Sequence, residues 1–485
     1  MKKTISTFIL VLLTIGLFAQ GSEEAGFYSQ TYYQGTAKAL GMGNALGAVG
    51  GGMTAVCINP AGLGIYRSDE FTMSLNLSDN RNISSYYGTE KKADKIRLSI
   101  PNLGYVHCNQ RSNFRPLRYT QWSIGLTRTN DYNMHTYASG YNPTSSKIDE
   151  YLNQIGGCPP NELYNYDYFR FTVLPAWDTY LIDTINGIYT SPVPQGGIIQ
   201  NCEQEYKGRT EEWTLGYSAN FNDRLFVGFS LAIPFLKRVG SRVYQEVLPD
   251  TSNIQTDFKS FCISEDLSST GMGVNAKIGL IWHANRWLRL GAAFHTPSVY
   301  HFTESWQPKT ESHFTNAYYP NPYITISNYE YYYYSPAKWV GSTAFVFSDR
   351  GMISLDAEYV DYGTAFFEAT DDYDYSQVNE DIKQTYSRTF NLRIGTEWYV
   401  NGSYLRLGAG YYGSPFGFGQ PNGSIKKASA GISLPVNESI TFDLAYELSH
   451  GKRLYTLYDA GALGIEPVTQ KQFRSVALAT LKYRF

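Results

Sequence analysis

Past its first twenty residues, the 485-residue chain has no apolar run of about 20 residues, so none of its helices can span a bilayer. Basic excess is missing too: the formal net charge is -3, and no nucleic-acid motif is present, which argues against nucleic acid as a partner. Cysteine is scarce. Cys57, Cys108, Cys158, Cys202 and Cys262 are odd in number and irregularly spaced, so they make no disulfide framework. A Cys158–Cys202 bridge within one long loop stays open, with unpaired thiols as the default. There is no CxxC, no His/Cys pairing and no GxSxG. His295, His301, Glu304 and His313 come nearest to a cluster, but their spacing fits no helix face and no zinc motif. Neither an enzyme, a metal nor a cofactor is expected.

What is present points to a membrane wall made of strands. Lys2 and Lys3 precede an apolar stretch over Phe8–Phe18, and Leu17-Phe18-Ala19 offers a small-residue cleavage site. A signal peptide over residues 1–19, cleaved near Ala19, is therefore expected, and with it export. No cysteine lies beside that site, which argues against a lipid anchor. Tyr 42, Phe 26 and Trp 8 raise the aromatics to 16%, yet mean hydropathy is only -0.32. A β-barrel gives this balance, because only alternate residues face lipid and aromatic girdles mark both interfaces. The chain closes on Leu481-Lys482-Tyr483-Arg484-Phe485, an alternating strand whose terminal Phe485 is the expected signal to the barrel-assembly machinery.

Period-two segments bounded by turn residues occur near 71–78, 97–107, 119–131, 211–221, 224–235, 271–284 and 286–296. Others lie near 338–348, 351–361, 388–399, 402–412, 425–434, 438–449 and 473–485. Fourteen strands is an even number, as single-chain outer-membrane barrels require. The joins agree. Short turns such as Asn222-Asp223, Ala284-Asn285, Asp349-Arg350 and Asn401-Gly402 alternate with longer segments at 79–96, 132–210, 236–270, 297–337, 362–387, 413–424 and 450–472. Charge fixes which face is which. A Lys or Arg facing lipid at the midplane costs about 2–4 kcal/mol, so Asp443, Glu447, Arg393, Glu397 and Arg406 must face the lumen.

About eight strands is the limit at which side chains alone fill a barrel. A plug is therefore expected, and residues 20–70 are the candidate, ahead of a wall over 71–485. Within them, Gly35 to Gly47, a glycine run and Asn59-Pro60-Ala61-Gly62-Leu63-Gly64 permit a compact backbone. Leu40, Met42, Leu46, Val56, Ile58 and Leu63 supply apolar packing; the competing reading is a flexible periplasmic linker. Gly41, Gly43 and Gly47 miss the dinucleotide fingerprint by one residue and follow no strand.

The Gly35–Tyr66 stretch, with its Asn59-Pro60-Ala61-Gly62-Leu63 core, resembles the hatch of the FadL long-chain fatty acid transporters, in particular their Bacteroidetes-type branch. Ser335-Pro336-Ala337-Lys338-Trp339, the Asp356/Glu358/Tyr359/Asp361/Tyr362 set, Leu392-Arg393-Ile394-Gly395 through Glu397, Arg406, Gly408 and Ser414-Pro415 agree with it. The resemblance implies an outer-membrane barrel of fourteen strands in which Asn59, Pro60, Ala61 and Gly62 belong to a gating hatch. It further implies a hydrophobic ligand, with a long-chain fatty acid as the family's type, captured in the lumen and released sideways through the wall into the membrane lipids. Burying an acyl chain gains about 0.8 kcal/mol per CH2, so capture needs no energy input. A carboxylate head would need a lumen cation: Arg393 or Arg406 could supply it, or both could be engaged by neighbouring carboxylates. The tyrosine-rich segments 132–210 and 297–337, including Tyr331-Tyr332-Tyr333-Tyr334, read either as a capture groove or as girdle and loop packing. A scaffold for secretion partners and a passive polar channel are the alternative functions.

Overall fold

The computed structural model describes residues 21–111, 115–166, 169–250, 252, 254–321, 326–370, 374–417 and 423–485; the signal segment expected over 1–19 lies outside them. Fourteen antiparallel strands form the wall: β1 Glu70–Tyr86, β2 Thr89–Gln110, β3 Leu117–Asp131, β4 Ile198–Phe221, β5 Leu225–Val247, β6 Phe258–His283 and β7 Leu288–His295, then β8 Lys338–Phe347, β9 Gly351–Asp361, β10 Arg388–Val400, β11 Ser403–Tyr412, β12 Ile425–Pro435, β13 Ile440–Tyr455 and β14 Val468–Arg484. Each pairs with the next, and β14 returns to β1 from Glu70↔Arg484 to Ser85↔Thr469. The sheet closes on itself, as a bilayer demands of a β-structure.

Alternation places side chains as charge requires. Leu392, Ile394, Leu405, Leu407, Phe442, Leu444, Tyr446 and Leu448 face outward and are exposed, whereas Arg393, Glu397, Arg406, Asp443 and Glu447 are buried in the lumen. At the short-turn end the outward aromatics stack across strands: Trp287 on Phe345, Phe347 on Trp398, and Tyr105 on the terminal Phe485. These are the rings of an interfacial girdle.

Several strands outrun their expected ends. The segment 79–96, expected as a loop, is instead the continuation of β1 and β2 to a tight turn at Tyr87-Gly88, where both residues have positive φ. Asn80, Asn82 and Ser84 point inward there, and Arg81, Lys92 and Asp94 outward. With polar residues on both faces no hydrophobic period marks the strand, although its backbone pairing is unbroken. Beyond the wall, Met134–Asn142 adds to β4 and Val299–Phe314 adds to β6. The segment from 143 to 197 folds over the long-loop end, with helices at Lys147–Ile155 and Val173–Asp178, around a core that includes Ile148, Phe169, Leu181, Phe261 and Tyr458. The tyrosine run divides by the same alternation. Tyr331 and Tyr333 are buried inward, and Tyr332 is exposed outward.

One seam is incomplete. β2 and β3 pair only from Asn102↔Thr127 to Gln110↔Tyr119. Pro101 has no N–H to offer, and the β1–β2 register slips between Ser74 and Asn76 opposite it, as a bulge does. Past that point β2 continues with β1 alone, while β3 leans toward β4.

The lumen is occupied. Helix α1 (Ser22–Ser29) is followed by an extended run, α2 (Ala37–Gly41), α3 (Met53–Ile58) and a 3-10 turn over Pro60–Ile65. The Thr36 hydroxyl caps α2 and the Asn59 carboxamide caps the 3-10 turn, where Pro60 suits the first position. Met42, Leu46, Val49 and Ile58 pack on Ala293, Val340 and Ala344 of the wall; Ala37 and Leu40 pack on Ala445, Val476 and Leu478. Within the segment 20–70, expected as a plug or a linker, most described residues from Tyr33 to Gly64 are buried inside the barrel. Close approach of two backbones makes this possible. Gly43, at φ +59, would carry a Cβ 2.9 Å from the Ala409 nitrogen, and a Cβ on Gly408 would land on the Gly43 nitrogen.

Gly408→Val should therefore leave the barrel able to form but unseat the plug, since overpacking a filled site costs about 1–3 kcal/mol. Limited proteolysis checks this: the variant is cut within residues 30–60 while the wall stays heat-modifiable on gels, and an uncut plug would contradict the packing.

Candidate functional site

Above the plug, at the long-loop end, lies a cavity of about 160 Å³ whose floor is α1 through Glu23, Gly26, Phe27 and Gln30. Its sides mix aromatic and cationic groups, among them Tyr32, Tyr132, Tyr206, Tyr386, Phe416, Arg238, Lys427, Arg453 and Arg474. Phe27 sits between two guanidiniums, with Arg238 4.8 Å and Arg453 5.0 Å from its ring centre. Such a stack holds cations over an apolar surface without neutralising them.

The cations differ in how far they are already used. Arg238 pairs with Glu24 at 3.3 Å and also covers Tyr206; Lys427 pairs with Glu447 at 3.1 Å and Arg474 with Asp131 at 3.0 Å. Arg453 has no carboxylate partner among the described residues and rests on Phe27 alone. Among Arg238, Lys427, Arg453 and Arg474, the inward-facing cations that line this cavity, it is the one without an ion pair.

The floor is tied to the incomplete seam. The Tyr32 and Gln34 amides donate to the Thr129 and Arg128 carbonyls at 2.7 and 3.0 Å, and the Asn130 carboxamide donates to the Gln30 carbonyl at 3.0 Å. The plug thus serves as the partner that β3 loses where β2 leaves it. The Arg128 guanidinium reaches back across the seam to Ser99 at 2.7 Å and pairs with Glu211 at 2.7 Å. Elsewhere α1 is held by Ser29 and Tyr333, whose hydroxyls lie 2.6 Å apart, and by Tyr28 stacked on Phe302 at 4.8 Å. Beyond the wall, burial pushes the Glu304 carboxyl up to about 7, against the Ser269 hydroxyl that donates to it at 2.5 Å.

The residues singled out in the sequence lie deeper. Asn59 joins three pieces: its amide donates to the Gly47 carbonyl at 2.7 Å and to the Leu280 carbonyl of β6 at 3.1 Å, and its oxygen accepts from the Ala61 amide at 3.1 Å. Pro60 and Ala61 lie where the wall has Gly228, whose Cβ would overlap their backbone, and Gly62 packs against Gly50. Arg393 and Arg406 follow the second of their two readings. Arg393 pairs with Glu358 at 3.3 Å and faces Asp356 at 3.9 Å; Arg406 pairs with Glu397 at 2.5 Å and faces Asp443 at 3.6 Å. Neither lines the cavity over α1. Asp356 also accepts from the Gly47 amide at 3.0 Å, so these pairs anchor the plug. The histidines stay apart: His295 faces the plug, against the Ile58 carbonyl at 2.9 Å, while His301 is 3.7 Å from Glu330 on the outer side. The five cysteines are free, Cys158 and Cys202 included.

Sequence reading missed Phe27, Arg238 and Arg453. Arg238 was legible as an inward residue had the strand at 224–235 been extended by the same alternation. Arg453 fell in a segment taken as loop, and nothing local marks a cation that gains its meaning from a helix more than 400 residues away.

No family model matches the chain, and no curated protein matches it by sequence. Solved structures do match. The toluene transporter TodX of Pseudomonas putida is 13% identical over 94% of this chain and 98% of its own, with a TM-score of 0.53. A FadL homologue of Pseudomonas aeruginosa is 13% identical over 94% and 99%, with a TM-score of 0.58. The toluene transporter TbuX of Ralstonia pickettii is 14% identical over 95% and 100%, with a TM-score of 0.51. This chain has the fold of the FadL-type outer-membrane barrels.

Removing one member of a buried ion pair strands the other and costs about 3–5 kcal/mol. Arg393→Met should destabilise the barrel by that order, whereas Arg453→Ala should cost under about 1 kcal/mol. Equilibrium unfolding in denaturant separates the two; equal losses would contradict the division between anchoring and free cations.

Proposed function

We propose that the chain takes up hydrophobic small molecules across the outer membrane, and that a long-chain fatty acid or similar amphiphile is its ligand. The observation that carries this reading is Arg453, a cavity cation with no ion pair among the described residues, stacked on Phe27 of α1. An apolar tail gains about 0.8 kcal/mol per CH2 on leaving water, and the cavity's aromatic faces accept it. The carboxylate meets Arg453. Solved structures that share the fold include proteins described as toluene transporters, which supports a hydrophobic ligand without choosing the acid.

Release follows from the floor. A carboxylate that draws Arg453 off Phe27 loosens α1, and the extended run after α1 is what completes the free edge of β3. Withdrawal of Gln30 to Gln34 opens the seam above Asn102 and Thr127, giving the ligand a lateral way into the lipid. Asn59, Pro60, Ala61 and Gly62 act as the pivot, since Asn59 holds the lower plug to β6 while the upper plug moves. A passive polar channel fits less well, because the buried lower plug, Asn59 and Leu63 included, stands across the lumen.

Two variants test this. Losing a hydrogen bond to a charged group costs about 1.5–3 kcal/mol, so Arg453→Ala should weaken palmitate binding at least about tenfold, while Arg393→Met and Arg406→Met leave it unchanged where they fold. Cross-linking Gln30→Cys to Asn130→Cys should preserve binding and abolish uptake in cells. Unaltered palmitate affinity in Arg453→Ala, or full uptake by the cross-linked protein, would overturn the reading.

A further inference from the structure

The register of the wall assembles a second feature, on its outside. Going round the barrel, Lys92 of β2 is paired with Ile83 of β1, Ile83 with Lys471 of β14, and Lys471 with Lys452 of β13. One row nearer the membrane centre the sequence is Asp94, Arg81, Phe473, His450 and Lys426. Lys92, Lys471, Lys452, Arg81 and Lys426 are exposed and, by alternation, on the face opposite the lumen. Directly below them on the same face come the lipid-facing Leu448, Tyr446, Leu77 and Leu98. The cations therefore form a band where the apolar belt ends, at the long-loop end, the outer leaflet in barrels of this type.

Two facts make this band more than a solvated surface. Like charges directly opposite on adjacent strands repel, yet Lys452 and Lys471 are direct partners. No carboxylate is paired with Lys92, Lys426, Lys452 or Lys471 among the described residues; Asp94 is taken by Arg81 at 3.0 Å. Half-buried Asp79 below and exposed Glu90 above are the remaining acids of this arc. Elsewhere exposed cations are matched in several places: Lys207 meets Glu205 at 3.3 Å, Arg209 meets Glu211 at 2.8 Å, and Lys309 is paired with Glu311. Lys237 of β5, opposite Arg209, has no carboxylate partner among the described residues, whereas on this arc four lysines without carboxylate partners gather at the height of the lipid headgroups.

We propose that this arc of β12, β13, β14, β1 and β2 binds the phosphate-bearing headgroups of outer-leaflet lipids. The phosphates lie between Lys452 and Lys471 and along the row to Lys92 and Lys426, and the acyl chains run down over Phe473, Leu448 and Tyr446. The seam between β2 and β3 borders the arc, so bound lipid lines the side on which the wall is incomplete.

The test uses the full-length protein in dodecyl maltoside, titrated with monophosphoryl lipid A and read by native mass spectrometry. At roughly a few-fold per lysine, the Lys426→Gln/Lys452→Gln/Lys471→Gln variant should bind about a hundredfold more weakly. Enzymatically dephosphorylated lipid A should lose binding to the same degree, and excess inorganic phosphate should not displace the lipid. A Lys237→Gln/Lys309→Gln variant on the opposite arc should bind as the parent does. Heat-modifiable migration verifies that each variant is folded, and Lys452→Gln alone provides a milder step should the triple variant fail. Equal binding by the basic-arc and control variants, or by the dephosphorylated lipid, would overturn the proposal. Displacement by inorganic phosphate would as well, since it would mean an ion site without lipid.

Discussion

A ring of fourteen strands is wider than its own side chains can fill, and the plug that fills it sets the terms for everything else in this molecule. Because the plug is backbone-rich, its polar groups must find partners inside the barrel. Asn59 supplies some of them, with one amide bridging a plug loop and the wall and one oxygen capping the turn that follows. The wall yields space in return. Glycines at positions such as Gly228, Gly291 and Gly408 let the plug backbone come within contact distance, and the buried pairs of Arg393 and Arg406 present ordered carboxylates beside it. The larger of two described cavities is left over α1, with a smaller one between Tyr33 and Lys277 of the wall.

The upper plug differs in kind from the lower. Around Asn59 it is fully buried and held by several partners. Gln30 to Gln34 run along the edge of β3, with Tyr33 packed into the plug core, Thr31 accepting from Lys338 and Tyr32 against Tyr412. The same stretch stands between a cavity with a free cation and a seam that β2 does not close. In the proposed uptake, capture and release would be linked by connectivity: Arg453 rests on the helix whose extension bonds to β3.

Much of this was legible in the sequence. Period-two alternation found the fourteen wall strands, and the cost of a charge in lipid turned Arg393, Arg406, Asp443 and Glu447 inward, where they lie. A plug was one of two readings of the glycine-rich, partly apolar segment before the first strand, the other being a periplasmic linker, and only its burial inside the barrel separates them. The strand ends were not. Residues such as Asn80, Asn82, Arg81 and Lys92 carry no hydrophobic period, since past the lipid belt neither face needs one. The cavity was least legible of all. Phe27, Arg238 and Arg453 come from three distant parts of the chain, and only closure of the barrel brings them together. Arg393 and Arg406 looked equally suited in sequence, where a paired and an unpaired lumen arginine read alike.

The central claim is that ligand in the cavity draws the upper plug off β3. It is tested most directly by a spin-label distance between residue 30, in the plug, and residue 124, on the lipid face of β3, with and without palmitate. The account predicts one narrow distance in the free protein and a second, longer one that grows with palmitate and is absent from Arg453→Ala. A single distance, unchanged at saturating palmitate, would contradict it.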